Sequence, residues 1–552
     1  MQVGGLARQT SWSVALPRAP GWLAVVLAAA LLIGELPLLL SACCAPPQAR
    51  GLGTAWFVND FAQYESAMRQ GAEQPGWLVY DAFTAEPHQP TLMFPLYVGL
   101  GKLGALLHVP PDGLERLTEV IVRALLVLAV WRFCHAFAVS QSAARAAVLL
   151  TLFGSGFEAL AGLFGLPYTG NWSYETNTFG LLFGAPHVPL AMAATLELAR
   201  RWLRPQRDFS PWAVLWSAAL GAAIALLHPF HLAVLLAALL LVGSVFWRTG
   251  QGLGSLAGAL AATLGGLPVL WVTLQTFTFD PFWAATYGAQ NILPSPAPHE
   301  LVVDLGATLL LAVGGAVMLR GRVAPFGILV WLLLGLIAMY LPVPYQRRLG
   351  FGIQPALAIL AANGLLAACT VLERWQSTES VCRQSFSGKR FPLLTLGWRW
   401  RLLPLAAGLR LAVVALAASG TVLVVVGVAS SALRDWPLPI YRSTTDLDTA
   451  VAWLAERTQP DEVVLADWSV SNYLAPRLRG RVFGGHPVAT LNASEKQFAI
   501  AALFAHTAGL DVARQFGVHW LVYGPAEAGL VGPGVADFQS GEVRIYRVRA
   551  RP

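Results

Sequence analysis

Pro342-Val-Pro-Tyr-Gln-Arg-Arg-Leu-Gly350 separates two long apolar runs, residues 326–341 and 351–372, and places two adjacent arginines in the gap. The runs around it decide which side of a membrane it faces. Segments apolar enough and long enough to cross a hydrocarbon core of ~30 Å fall near 21–40, 117–138, 146–164, 179–199, 212–227, 232–246, 253–274, 301–319, 326–341, 351–372 and 405–428, about eleven helices. Arg8, Arg18, Arg132, Arg145, Arg200, Arg201, Arg204, Arg207, Arg248, Arg320, Arg322 and the segment Glu373 to Arg401 all fall on one side of that alternation. Lys and Arg mark the cytoplasmic side. The N-terminus is therefore expected inside, and the chain after residue 430 outside. Arg347 and Arg348 face outward against the rule, which marks them as charge with a use.

With 56% hydrophobic and 12% charged residues in 552, and a mean hydropathy of +0.57, most of the chain has lipid as its solvent. The formal net charge of +7 would suggest nucleic acid in a soluble chain. Here the basic residues cluster between apolar runs and set topology, so no nucleic-acid partner is expected. The five cysteines have no disulfide or metal-ligand spacing. Leu40-Ser-Ala-Cys43 matches a bacterial lipoprotein cleavage pattern, but the run 21–40 is long enough to span and reads as a retained first helix. The expected location is a bacterial inner membrane.

Polar chemistry concentrates in the expected outer loops: 41–116, 165–178, the turn His228-Pro-Phe-His231, 275–300 and 342–350. In the first of these, Asp60 to Gln70 has helical spacing, with Asp60 and Tyr64 one turn apart and Glu65 placed to pair with Arg69. Leu92 to Leu107 is apolar but short, and reads as interfacial or re-entrant. From about 440 the composition becomes that of a small soluble unit: helices 446–457, 469–475, 495–506 and 511–516 alternate with strands 463–466, 482–483, 519–523 and 543–548. The expected architecture is an α-helical polytopic domain over 1–435 and an extracytoplasmic α/β domain over 436–552. The latter shows no phosphate loop, HExxH or nucleophile elbow.

Asp60 follows the first helix beside Trp56, Phe57 and Phe61, and a partly desolvated carboxylate there can serve as a general base or metal ligand; the plainer reading is a helix cap. Asp81 and Glu86 could share a divalent cation with it, or lie in a solvated loop. Arg347 and Arg348 match phosphate oxygens in geometry and charge, or else snorkel as anchors. His187, His228 and His231 sit at membrane depth, where histidine is rare. Glu175 and Asp280 stand among aromatics that can stack on sugars or form an interfacial belt. Ser469, Asn472, His486 and Lys496 read as contacts to an acceptor or as residues that hold the C-terminal fold, with the fold the preferred reading.

Asp60 with Tyr64, the basic Tyr345-Gln-Arg-Arg-Leu349, and tail segments such as Gly484-Gly-His-Pro-Val-Ala-Thr490 resemble the GT-C superfamily of membrane glycosyltransferases. Where that superfamily often has paired acids after the first helix, this chain has Asn59-Asp60. The resemblance implies inverting transfer of a sugar from a polyprenyl-phosphate carrier in the membrane lipid to a glycan, lipid or protein acceptor on the outer face. It implies Asp60 as the base and Arg347 and Arg348 as the phosphate clamp, with Tyr64, Glu86, Glu175, His228 and His231 as further substrate contacts. A divalent cation would draw on Asp60, Asp81 and Glu86. The competing readings are a secondary transporter or flippase, against which the polar groups crowd outer loops rather than the midplane, and a non-catalytic scaffold.

Overall fold

A backbone crossing lipid must satisfy its own polar groups, and a helix does so within one segment. The computed structural model describes residues 20–44, 49–51, 58–157, 161–162, 164–165, 175–289, 292–320, 325–386, 421–423, 425–427, 429–430, 442–505 and 510–548. Twelve of its helices frame the bundle and its outer loops: α1 (Gly21–Cys43), α2 (Val58–Glu73), α3 (Pro95–Leu107), α4 (Pro111–Phe137), α5 (Gln141–Phe153), α6 (His187–Trp202), α7 (Pro211–Leu227), α8 (Phe230–Val245), α9 (Leu253–Leu274), α10 (Pro298–Met318), α11 (Phe326–Ala338) and α12 (Ile353–Phe386). Among the described residues, five spans are long and apolar enough to cross a membrane: Gly21–Leu40, Gly113–Phe137, Leu253–Phe279, Pro298–Met318 and Gln346–Val371. Shorter apolar helices stand at Pro95–Leu107, Gln141–Phe153, Pro211–Leu227, Phe230–Val245 and Phe326–Ala338. Most of the run 405–428, with Trp56 and Phe57, lies outside the described residues.

Three runs differ from their sequence reading. Within the run 146–164, α5 ends at Phe153 and Gly154 leaves the helix. The run 179–199 is two pieces, a 3-10 turn Thr178–Leu182 and then α6. Pro186 disfavours helix in the residue before it, which separates them. α10 is broken at Gly306 (φ 50°, ψ −136°), where its backbone meets Gly156 and Val303 accepts a hydrogen bond from the Phe157 amide at 2.7 Å.

The expected cytoplasmic residues gather at one end of the bundle. Arg132 lies 3.4 Å from Glu197, Arg145 stands over Trp22, and Arg204 stands over Phe137. One charge network went unread in the sequence: Arg123 of α4 bonds Glu35 inside the apolar run of α1 and lies 3.3 Å from Glu119, which holds Arg116 at 2.8 Å. Ions at this depth persist only when paired, so the network locks α1 against α4.

At the other end, α2 and α3 cross with almost no space between backbones. A Cβ on Gly71 would stand 2.3 Å from the Val98 carbonyl oxygen, and one on Gly101 would stand 1.9 Å from that of Met68. Small residues permit such approach where apolar burial alone cannot favour it.

The C-terminal region forms a five-stranded sheet in the order β4-β3-β5-β7-β6, from β3 (Val463–Leu465), β4 (Arg481–Val482), β5 (Val518–Tyr523), β6 (Phe538–Ser540) and β7 (Val543–Arg547). β3 runs parallel to β4 and β5, while β7 is antiparallel to β5 and β6. β6 was not expected from sequence. The region shares its core with the loops beneath it: Ala82, Phe83, Trp283 and Tyr287 pack with Leu447, Leu454, Val464 and Trp520. A two-stranded ribbon, β1 (Ala49–Gly51) against β2 (Arg442–Thr444), ties the chain after α1 to the start of this region.

Gly101→Ala should therefore push α3 off α2 and lower stability by about 1–3 kcal/mol, the usual cost of overpacking. Gly76→Ala, where a Cβ meets open space, is the control. Thermal unfolding in lipid nanodiscs measures both; equal midpoints would refute the close-crossing account.

Candidate active site

Helix α2 has two working faces, because residues at i, i+3 and i+4 share a side. Asp60, Gln63 and Tyr64 line a cavity of about 110 Å³ together with Met93, Phe94, His187, His228, Tyr287 and Arg348. The opposite face grips the C-terminal region: Glu65 lies 3.3 Å from Arg477, and Arg69 donates to the Pro476 carbonyl at 3.0 Å. The expected Glu65–Arg69 pair is thereby corrected, since Arg69 pairs with Glu73 at 2.8 Å. Asp60 occupies the first turn of α2, where a helix N-terminus favours negative charge.

The cavity wall is aromatic. Tyr64 stacks on Tyr97 with centroids 4.3 Å apart, and the Tyr97 hydroxyl bonds His187 Nδ1 at 3.0 Å. Phe94 holds a left-handed backbone (φ 52°), strain in a bulky residue that persists only where its surroundings impose it. It also lines a neighbouring cavity of about 150 Å³ with Met93, Pro95, Leu96, Leu226, Pro229 and Phe277. That second space is largely hydrocarbon-lined and opens beside the ends of α7 and α9.

Opposite Asp60, the 3-10 turn Gln346–Gly350 delivers the arginine pair. Arg348 reaches the cavity, lies 3.3 Å from His228 Nε2 and stands over the Phe230 ring. Arg347 instead turns to Glu175, its Nε 3.7 Å from the buried Glu175 carboxylate. His231 packs behind His228, their ring centroids 4.8 Å apart, and lies against Phe351. Among the described residues, the buried nitrogens Arg347 Nε, Arg348 Nε, His228 Nδ1, and both ring nitrogens of His231 have no hydrogen-bond partner. Buried donors are normally satisfied. Arg348 and His228 bring such nitrogens to the cavity lining, with those of Arg347 and His231 behind them.

The structure thus brings together Asp60, Tyr64, His228 and Arg348 around one cavity, with His231, Arg347 and Glu175 directly behind it. It does not bring Glu86 there. Glu86 accepts from Lys496 at 2.7 Å and from Thr84; burial works against its ionisation, but Lys496 and Thr84 hold its carboxyl below the usual range. Its role is corrected to joining the first loop to the C-terminal region. Asp81 is buried, accepts from the Phe83 amide at 2.8 Å, and is pushed by burial up to about 8. Among the described residues, no three His, Cys, Asp or Glu side chains converge as metal ligands, so Asp60, Asp81 and Glu86 form no common cation site. Asp280 accepts from the amides of Phe282 and Trp283 and acts as a cap. Sequence reasoning did not single out Gln63, Phe94 or Tyr287, which reach the cavity only through tertiary packing, and it read His486 as holding the fold.

Comparison with solved structures finds this architecture in two enzymes. One is the archaeal oligosaccharyltransferase AglB from Archaeoglobus fulgidus, solved with an inhibitory peptide and a dolichol-phosphate (TM-score 0.50, 15% identity, over 91% of this chain and 69% of that one). The other is ArnT from Cupriavidus metallidurans in the apo state (TM-score 0.50, 14% identity, over 96% and 98%). The chain shares the fold of these two proteins. No protein-family profile matches the chain, and no curated protein does.

Neutral Asp81 is the form that the fold selects. Its folded value near 8 exceeds the ordinary 3.8, so its contribution is complete below that ordinary value and is lost as pH rises through about 8. Asp81→Asn should flatten the decline of the thermal midpoint between about pH 4 and 8. Parallel declines in both proteins would show that Asp81 titrates normally.

Proposed function

We propose that the protein transfers a sugar from a polyprenyl-phosphate donor to an acceptor hydroxyl, with inversion, on the outer face of a bacterial inner membrane. In this reading the N-terminus is cytoplasmic and the C-terminal α/β domain is extracytoplasmic. The observation that carries it is that Arg348 and His228 line one cavity with Asp60, with Arg347 and His231 behind them and buried nitrogens on all four without a hydrogen-bond partner. The apolar annex beside it suits the first isoprene units of a lipid carrier. The dolichol-phosphate bound by AglB is a ligand of this class on the same fold.

The chemistry follows from the two walls. The acceptor oxygen attacks the anomeric carbon while Asp60 takes its proton. The bond from that carbon to the phosphate oxygen breaks, and its electron pair leaves with the lipid phosphate. Arg348, braced from behind by Arg347, and the His228 Nδ1–H stabilise the charge that grows there. His228 Nε2 faces the Arg348 guanidinium and so serves as acceptor, which leaves its proton on Nδ1. Direct displacement inverts the centre. Tyr64 and Tyr97 offer a face for the sugar ring. A divalent cation would be held by Asp60 from within the cavity, since Asp81 is committed to the Phe83 amide and Glu86 to Lys496; turnover with and without chelator decides whether one takes part.

The test is binding and turnover of a panel of polyprenyl-phosphate sugars in nanodiscs. Arg348→Ala is expected to weaken donor binding by about 1.5–3 kcal/mol, the range for a hydrogen bond to a charged group. Asp60→Asn is expected to keep donor affinity and lose about 10²–10⁴-fold in kcat. If wild-type protein binds neither the panel nor the unglycosylated polyprenyl phosphate, the transferase reading fails.

A further inference from the structure

We infer that His486, supplied by the C-terminal region, is a positioning residue for Asp60, so that the active site is incomplete without that region. This rests on the transferase reading of the cavity. His486 lies in the loop after β4, is 1% exposed, and reaches across to α2. Its Nδ1 accepts the backbone amides of Val488 at 3.1 Å and Ala489 at 3.0 Å. A nitrogen that accepts two N–H groups cannot itself carry a proton, so in the neutral ring the proton is on Nε2. That Nε2–H faces Asp60 Oδ1 at 3.4 Å, and the Gln63 side-chain nitrogen lies beside the ring, 2.6 Å from Nε2 and 3.1 Å from Nδ1.

The loop that holds His486 is built to fix the ring. Thr490 Oγ1 accepts from the amides of Gly485 and His486, both at 3.1 Å, and donates to the Phe83 carbonyl at 2.8 Å. Asn472 holds the Gly485 carbonyl at 3.1 Å, and Phe83 packs edge-on against the imidazole. Two amides at Nδ1 also mean that the ring cannot relay a proton through that nitrogen. His486 orients one carboxylate oxygen of Asp60, leaving the other for the acceptor hydroxyl, and the proton taken from the acceptor stays on Asp60 until solvent removes it.

Two substitutions separate positioning from folding. His486→Asn keeps an acceptor near the Nδ1 position for Val488 and Ala489 but cannot reach Asp60. His486→Gln keeps a donor near the Nε2 position and gives up that acceptor. Positioning requires His486→Asn to lower kcat about 10- to 100-fold, the usual range for a partner that orients a reacting group. Donor KM and thermal midpoint should stay near wild type, and His486→Gln should retain more kcat than His486→Asn. A structural role reverses that ranking, and wild-type kcat in His486→Asn overturns the inference. In the Asp60→Asn background, His486→Asn should cost nothing further in kcat. A thermal double-mutant cycle between Asp60→Asn and His486→Gln reads the contact without turnover: non-additive midpoints are expected, and additive ones overturn it. If no donor binds the wild type while the cycle still shows coupling, the transferase reading falls and the contact stands.

Discussion

Buried nitrogens without hydrogen-bond partners are the constraint around which the cavity end of the molecule is arranged. A buried polar atom without a partner costs free energy, and the chain gathers such nitrogens of Arg347, Arg348, His228 and His231 in one place. The surroundings make it tolerable and rigid. Glu175 stands behind Arg347, the Phe230 ring lies under Arg348, and Phe351 packs against both histidines. These neighbours stabilise the cations without satisfying them. For the phosphate of the proposed donor, these donors would already be desolvated, with little reorganisation left to make.

The opposite wall depends on where α2 lies. Its position is fixed from three directions: by backbone contact with α3 at Gly71 and Gly101, by Glu65 and Arg69 against residues 476 and 477, and by His486 at Asp60. The first loop continues the attachment, since the Val482 amide donates to the Ala82 carbonyl at 2.9 Å and Lys496 closes on Glu86. The C-terminal region is therefore continuous with the loop that carries the base, and their hydrophobic residues form one core. A catalytic carboxylate on a helix held at several points keeps its geometry better than one on a free loop.

How much of this was legible can be argued residue by residue. Asp60 and Tyr64 were readable as a pair because helical spacing is local and periodic. The arginine pair was readable because it violates the charge rule for outer loops. Glu86 was misassigned because its partner, Lys496, is remote in sequence and nothing nearby signals it. Glu65 was paired with Arg69 on a rule about neighbouring turns that holds for an isolated helix, whereas packing offered Arg477 instead. The run 21–40 concealed Glu35, whose charge is acceptable only because Arg123 meets it from another helix.

The sequence by itself determined that the chain is mostly helical and lipid-soluble, which end of the bundle gathers the polar loops, and that Asp60, Arg347 and Arg348 share that end. These follow from periodicity, apolar length and charge asymmetry, which act over a few residues at a time. Only the tertiary structure decided that Arg348 and His228 line one cavity with Asp60 while Arg347 stands behind, that Asp81 and Glu86 stand apart from it, and that His486 reaches Asp60 from the C-terminal region. Those outcomes depend on which remote groups meet once water is removed, because desolvation sets the strength of every polar contact there, and no local pattern encodes it.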